Sequence, residues 1–449
     1  VCLWPESKQH YLVQLILNLV HDTFAQTETQ TNSEKVYYMS DYSLTPIRGM
    51  DNVNKDESLQ TGGDSPELFA RDVVNLDVAP HGELTLRKSG LKCTDEPYAN
   101  IWQSPLHNDV FATHKGDLVK IDTDNWTHEV LIPFGDHMKA IVVNNKVIFA
   151  GRFGMYEYGG TSVKSLTIDP CGEPICEVDT TGTLAAGRYG VLVTLVRDGK
   201  ESSPSPMSIV DIDEATAHPH GRGAVGMSNG GQAAINVRLP IVFDNSVTSV
   251  RVYCTDVDGN DARLQTEVPT SFTNAVIAGL ETKSPVKFRH MAPMPTGRFL
   301  EHWNGRILTA DRNIIRFSES MAFHIHDERF GYVAMPQRIT FIKPVDGGIW
   351  VGQVTHVVFL SGNSPAEMTF ERKTAQAPVF DSAIGLESDF VGDAAQGGQT
   401  CAVWLAANGY VLGTPNGQIV EYQSGRLQGI SGVAASSVRV ARRLISVVS

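Results

Sequence analysis

The chain has 449 residues, 42% of them hydrophobic, enough for two or three packed domains. Its 50 acidic residues against 37 basic give a formal net charge of −13. That balance argues against stable nucleic-acid binding over a broad surface, because phosphate contacts need clustered Lys and Arg, and leaves room for transient passage of DNA past an acidic wall. Forty glycines and 22 prolines, with few long helical patterns, indicate an all-β chain rich in turns. The six cysteines (Cys2, Cys93, Cys171, Cys176, Cys254, Cys401) are too scattered for a disulfide framework. Cys171 and Cys176 are close enough in sequence to bridge, but no second Cys or His pair follows at zinc-site spacing. Unpaired thiols are the expectation.

Residues 1–38 differ from the rest. One apolar run, Tyr11–Val20, is too short to span a bilayer. Its weak n-region and the lack of an A-x-A-like cleavage site argue against a signal peptide. Residues 1–38 are therefore read as a leader, with Met39 as the natural start. Residues 39–98 read as an extended N-terminal arm. Pro46–Pro66 is polar and turn-rich, while Arg71–Val78 and Glu83–Lys88 flank Ala79-Pro80-His81-Gly82 as a β-hairpin. The arm is placed either to lend strands to a last blade or to reach a neighbouring subunit.

From residue 99 a hairpin pattern repeats. Its copies start at Asn108, Asn144, Asn304, Gly347 and Asn408. Tight Asn/Gly turns supply positive φ cheaply, and β-rich runs follow them. In the second strand one column reads Ile121, Tyr158, Phe317, Leu360, Tyr422; two places earlier it reads Val119, Tyr156, Ile315, Val358, Val420. An apolar column of period two marks a strand face turned to a core. Extra runs precede each copy (Ile101–Pro105, Met138–Val143, Phe299–Trp303, Ile339–Pro344, Ala402–Ala406). Others follow some copies (Thr127–Ile132, Val163–Ile168, Met368–Arg372). Three to four antiparallel strands per unit describe the blade of a β-propeller. Five blades are visible, over 99–178 and 284–449, with a sixth or seventh open to divergence.

The long gap between the copies at Asn144 and Asn304 holds a different pattern. Ala185–Pro206, Ala234–Val242 and Ser246–Val268 read as short strands with turn signals, the signature of a small sandwich. An inserted fibronectin-III-like domain is expected at 179–283, with Tyr189, Val191, Val193, Val250 and Val252 in its core.

The run AAGRYGVLVTLVRDGKES with SVRVYCT resembles the fibronectin-like domains of phage virion proteins. ARDVVNLDVAPHGELTLRKSG, together with NGRILTADRNIIRFSE and PVDGGIWVGQVTHVVFLSG, resembles the tail-nozzle and head–tail hub proteins of short-tailed phages. The resemblance covers roughly Gly49–Gln428. It implies a structural virion protein of a phage tail, assembled in the host cytoplasm. It further implies a homo-oligomeric ring of about six copies around a channel for passing double-stranded DNA, contacting other tail and connector proteins. It brings no catalytic, cofactor or metal residues. Residues 1–38 and the short C-terminal tail depart from the family pattern.

The chemical motifs are weak. His324-x-His326-Asp327-Glu328 offers metal-ligand types, but on a loop after a blade strand, and His218-Pro219-His220 with Arg222 reads as solvated. Gly221–Gly231 is rich in glycine but lacks the Lys-Ser/Thr ending of a phosphate loop. No Gly-x-Ser-x-Gly elbow occurs. The acids Asp122, Asp124, Asp311 and Glu319 are scattered, and Asp122–Trp126 only faintly echoes a sialidase turn box. No catalytic, cofactor or metal residue is therefore assigned, and the chain is read as a non-enzyme. The competing reading is a secreted carbohydrate-binding or glycoside-hydrolysing propeller with an accessory fibronectin-like domain.

Overall fold

The computed structural model describes residues 47–61, 67–79, 82–87, 91–219, 231–392, 395, 397–441 and 443–449. The leader, the first residue and the end (62–66) of the polar stretch in the arm, and most of the Gly221–Gly231 loop with His220 and Arg222 lie outside these. The chain is all-β and propeller-like, divided into two compact units: Tyr98–Pro336 with Asn363–Glu367, and Val1–Pro97 with Gln337–Gly362 and Met368–Ser449. No helix among the described residues is long and apolar enough to cross a membrane.

The Tyr98–Pro336 unit contains three four-stranded antiparallel sheets. The first is Ala99–Gln103, Val110–His114, Asp117–Asp122 and Thr127–Pro133. The second is Met138–Val143, Lys146–Gly151, Met155–Tyr158 and Val163–Ser165. The third is Phe299–Trp303, Arg306–Asp311, Ile314–Phe317 and Tyr332–Ala334. Strands follow chain order across each sheet, joined by short connections in the first two, whereas in the third the strand Ile325–Asp327, paired elsewhere, intervenes before Tyr332–Ala334. Asn144 and Asn145, at φ 50° and 60°, and Asn304-Gly305, at 46° and 70°, make the mirror-image turns whose twist matches a hairpin. Phe111, Phe134, Phe149 and Tyr158 form one core spanning the first and second sheets. Val143, Ile148, Met155, Leu300 and Ile307 form another spanning the second and third. Sheets sharing cores face to face in sequence are stacked blades.

The insertion is a two-layer sandwich. One sheet orders Ile175–Leu184, Ala233–Arg238 and Asn274–Ile277. The other is built on Gly187–Arg197, paired to Ser249–Thr255 on one side and to Lys200–Glu201 and Ser208–Ile212 on the other. Ala262–Pro269 closes its edge. Tyr189, Val191, Val193, Val250 and Val252 are buried together in the core between the sheets, as expected. The first strand starts at Ile175, four residues before the expected boundary, because Ile168, Cys171 and Cys176 also pack on this core.

The second unit holds two further blade sheets. The fourth is Ile339–Val345, Gly348–Gln353, Val357–Ser361 and Thr369–Lys373; the fifth is Ile384–Glu387, Thr400–Ala406, Gly409–Gly413 and Ile419–Glu421. Trp350, Trp404, Phe341 and Phe359 form their common core. Here one expectation fails. The hairpins at Asn108, Asn144, Asn304 and Gly347 occupy the second and third strands of their sheets, but the one at Asn408 occupies the third and fourth. The strand Ile384–Glu387 precedes it and shifts the register by one strand. Val420 and Tyr422, aligned with buried residues elsewhere, are therefore exposed, Tyr422 to 56%.

Among the described residues the arm lends no strand to the fifth sheet. It builds a parallel pair, Ile47–Met50 with Leu68–Ala70, and the expected hairpin, Leu76–Val78 with Leu84–Leu86. It grips the turn after the fifth sheet: the Asn52 amide N–H donates to the Arg426 carbonyl at 2.9 Å, and the Asn52 side chain bonds Gln428 in both directions. The Arg426 guanidinium lies 4.1 Å over the Phe69 ring. A C-terminal hairpin, Ala435–Val440 with Arg443–Val448, completes this unit and was not foreseen.

Candidate functional site

Four buried ionisable groups of the Tyr98–Pro336 unit, Glu157, Arg197, Glu201 and His324, collect where the sandwich meets the second sheet. The strand Gly187–Arg197 ends in an Asp198-Gly199 turn with φ of 50° and 76°. That tight reversal sets Arg197, Lys200 and Glu201 on one edge of the sandwich.

Arg197 is 3% exposed. Its Nη2 donates to the carbonyls of Ser165, Leu166 and Thr167 at 2.7, 3.3 and 3.2 Å, at the end of the second sheet. Its Nη1 reaches Asp244 Oδ2 at 3.2 Å and Ser246 Oγ at 3.3 Å. A planar guanidinium suits this work because its donors fan out in a fixed fork. Beside it, Glu157 of the second sheet lies between Lys146 of its own sheet, at 2.9 Å, and Lys200 of the sandwich, at 3.1 Å. Burial pushes the Glu157 carboxyl up, but the two lysines together outweigh it and hold the group below its ordinary value.

Glu201, 4% exposed, accepts from Thr194 Oγ1 at 2.6 Å, Tyr253 OH at 2.5 Å and Arg251 Nη1 at 2.8 Å. Burial first, then the neighbouring carboxylate, raises the Tyr253 phenol, so it stays a donor. The Glu201 carbonyl receives His324 Nε2–H at 2.8 Å. Burial holds the His324 imidazole below its usual value, so it is neutral, with the proton on Nε2. Of these groups Lys146, Glu157, Lys200, Glu201, Arg251 and His324 line a cleft of about 370 Å³, together with Phe288, Phe323 and Lys287. Lys146 pairs with Glu157 within the second sheet and Arg251 with Glu201 within the sandwich, while Lys200–Glu157, the Arg197 bonds to Ser165–Thr167 and the His324–Glu201 bond cross the junction. Chemically the arrangement is a clamp.

Among the residues singled out from sequence, only His324 belongs to this cleft. His326 sits on the short strand Ile325–Asp327 opposite Ala292, buried, with burial lowering its imidazole too. Asp327 holds Arg329, two residues on, rather than a histidine. Among the described residues no group of three or more His, Cys, Asp or Glu is arranged to hold a metal ion. Asp122 closes its own turn, accepting from the Asp124 amide at 3.0 Å and Asn125 Nδ2 at 3.1 Å, which accounts for the Asp122–Trp126 pattern. Glu319 lies 3.7 Å from Arg306, at the third sheet, where Asp311 also sits. His218 ends the one-turn helix Glu214–Ala217, its ring 3.9 Å from Glu214. Cys93, Cys171, Cys176, Cys254 and Cys401 are thiols in no disulfide among the described residues; burial pushes Cys171 up to about 11 and Cys254 to about 12. The sequence reading missed Arg197, Glu157 and Glu201. Each sits in an alternating strand at a turn, where the pattern alone predicts a solvated charge.

No protein-family model matches the chain, and no curated protein matches it in sequence. Solved structures resemble it distantly. The Pan2 WD40 domain of Neurospora crassa is 14% identical at a TM-score of 0.32, covering 77% of this chain and 83% of that one. YCF48 of Cyanidioschyzon merolae is 10% identical at 0.27, covering 78% and 92%. A functionally unknown protein from Desulfotomaculum acetoxidans is 11% identical at 0.30, covering 75% and 89%. The propeller assignment stands on the four-stranded sheets and their shared cores.

Proposed function

We propose that this chain is a non-enzymatic structural protein of a short phage tail, a nozzle or hub component forming a homo-oligomeric ring of about six copies. It assembles in the host cytoplasm, contacts other tail and connector proteins, and lines the channel through which double-stranded DNA leaves the particle. The sandwich is read as its fibronectin-III-like appendage. The observation that carries this reading is the clamp. A buried arginine, a lysine–carboxylate–lysine bridge and a neutral histidine fix the sandwich rigidly against the blades, as a part under mechanical load requires. An accessory domain that only gathers substrate works on a flexible tether. The net charge of −13 suits a channel, since an acidic wall repels phosphate and keeps passing DNA from sticking.

The test is cryo-microscopy of purified particles, with a glycan-hydrolysis screen on the isolated protein. Density for this chain as a ring in the tail supports the reading. Absence from particles, or turnover of a sugar abolished by one acidic substitution, sinks it.

A further inference from the structure

The cleft at the junction holds more positive charge than the clamp uses. Lys146 and Lys200 each donate one N–H to a different oxygen of Glu157, at 2.9 and 3.1 Å. One lysine is enough to neutralise that carboxylate, and Lys200 alone carries the bond across the junction. An ammonium has three donors, so four of the six in this pair are free among the described residues. The two lysine side chains are 45 and 35% exposed, while the Glu157 side chain between them is 8% exposed. Lys287 lines the same cleft, is exposed, and meets no carboxylate among the described residues.

The fourth lining cation, Arg251, is taken up from two sides, by Glu201 at 2.8 Å and by Glu267 at 2.9 Å. Four cations against Glu157, Glu201 and Glu267 leave one positive charge at this place, on a chain of net charge −13. That charge sits on the three lysines. Beside them the lining is aromatic. Phe288 stands edge-on to buried His324, and Phe323 edge-on to His302, each pair with centroids 6.0 Å apart. Both phenyl rings are half-buried and face the same cleft. A volume of 370 Å³ lies at the small end of the range for ligand pockets, which favour domain junctions. A cube of that volume is about 7 Å on edge, room for one ring with one charged group and too narrow for a duplex.

We propose that this cleft binds a small organic anion, a phosphate or carboxylate carried on an aromatic ring, with Lys146, Lys200 and Lys287 at the charged end and Phe288 and Phe323 against the ring. Such a ligand bridges the second sheet, through Lys146, and the sandwich, through Lys200, so its binding also tightens the junction. The site does not depend on the phage-tail reading, which localisation in particles decides separately.

The test is isothermal titration calorimetry of the full chain with phenyl phosphate, inorganic phosphate, benzyl alcohol and benzylamine. Phenyl phosphate should bind roughly tenfold or more tightly than the other three, which lack the ring, the charge or its sign. Its affinity should fall as salt rises from about 0.05 to 0.5 M. Lys287→Glu should weaken it roughly tenfold or more, because reversal turns an attraction into a repulsion, and Lys287→Arg should keep it. Lys287 takes no part in the clamp, so both variants should unfold at the wild-type midpoint. If Lys287→Glu unfolds early, Met321→Glu replaces it, at a cleft residue that is 67% exposed. Inorganic phosphate or benzylamine binding as tightly as phenyl phosphate overturns the proposal. So does unchanged affinity in the folded glutamate variant, or the lack of saturable phenyl phosphate binding by ~10 mM.

Discussion

Replacing Arg197 by Met tests the clamp directly. Met preserves the stem's bulk and removes every donor. The side chain is 3% exposed and serves three main-chain carbonyls, one carboxylate and one hydroxyl. Removing one partner of a buried charged network costs about 3–5 kcal/mol, because the remaining groups lose their partner without regaining water. The carbonyls of Ser165, Leu166 and Thr167 would carry most of that cost, since Asp244 is 43% exposed and rehydrates. Arg197→Lys keeps the charge but not the fork, and should lose about half as much. The assay is urea unfolding of the full chain with hydrogen exchange resolved by peptide. The sandwich contains no tryptophan, so indole fluorescence reports the blades and Trp4 but not the sandwich. Exchange should rise first in peptides covering 163–201, ahead of the first sheet. A loss under about 1 kcal/mol with unchanged exchange there would show that the guanidinium does not hold the junction.

Four further outcomes are expected. A fragment spanning 168–283 should unfold cooperatively by circular dichroism, and a featureless melt would deny the sandwich an independent core. Gly413→Ala places a Cβ 2.5 Å from the Trp350 ring and should cost about 1–3 kcal/mol, read in a denaturant titration followed by tryptophan emission. Stability should fall as pH drops below about 6.5, because the unfolded chain binds protons that buried His324, His326 and His356, all with lowered affinity, refuse. His324→Gln should flatten part of that slope, and an unchanged slope would exonerate this histidine. Asn52→Ala should free the arm, seen as faster proteolysis near Phe69 with the Tyr98–Pro336 unit left intact.

The blades were legible because their signal is local. Alternation in stretches such as Val147–Tyr158 and Ile307–Phe317, with Asn/Gly reversals, is written within a few residues. The slip at Asn408 shows the limit: one Asn-Gly turn looks like another, and the strand Ile384–Glu387, separated from Thr400–Ala406 by a long connection, carries no such mark. The sandwich core was legible for the same reason, through Tyr189–Val193 and Val250–Val252. The clamp was not. Arg197 and Glu201 bracket an Asp-Gly turn and look solvated until Ser165–Thr167 and Tyr253 are brought against them by contacts distant in sequence. The C-terminal hairpin escaped because its polar Ser-Ser and Arg-Arg interruptions hide the alternation of its valines.

The arm's grip on Arg426 and Gln428 has a consequence for how the protein is made. The ribosome delivers Asn52 and Phe69 more than 350 residues before their partners. At bacterial or eukaryotic elongation rates that interval is roughly half a minute. The Tyr98–Pro336 unit can fold and set its clamp within that time, since all its strands are already out. The other unit must hold its apolar arm residues in waiting. Chaperone dependence and premature aggregation should therefore concentrate in the segment around Phe69, and truncations upstream of Gln423 should leave one well-folded unit attached to one that never closes.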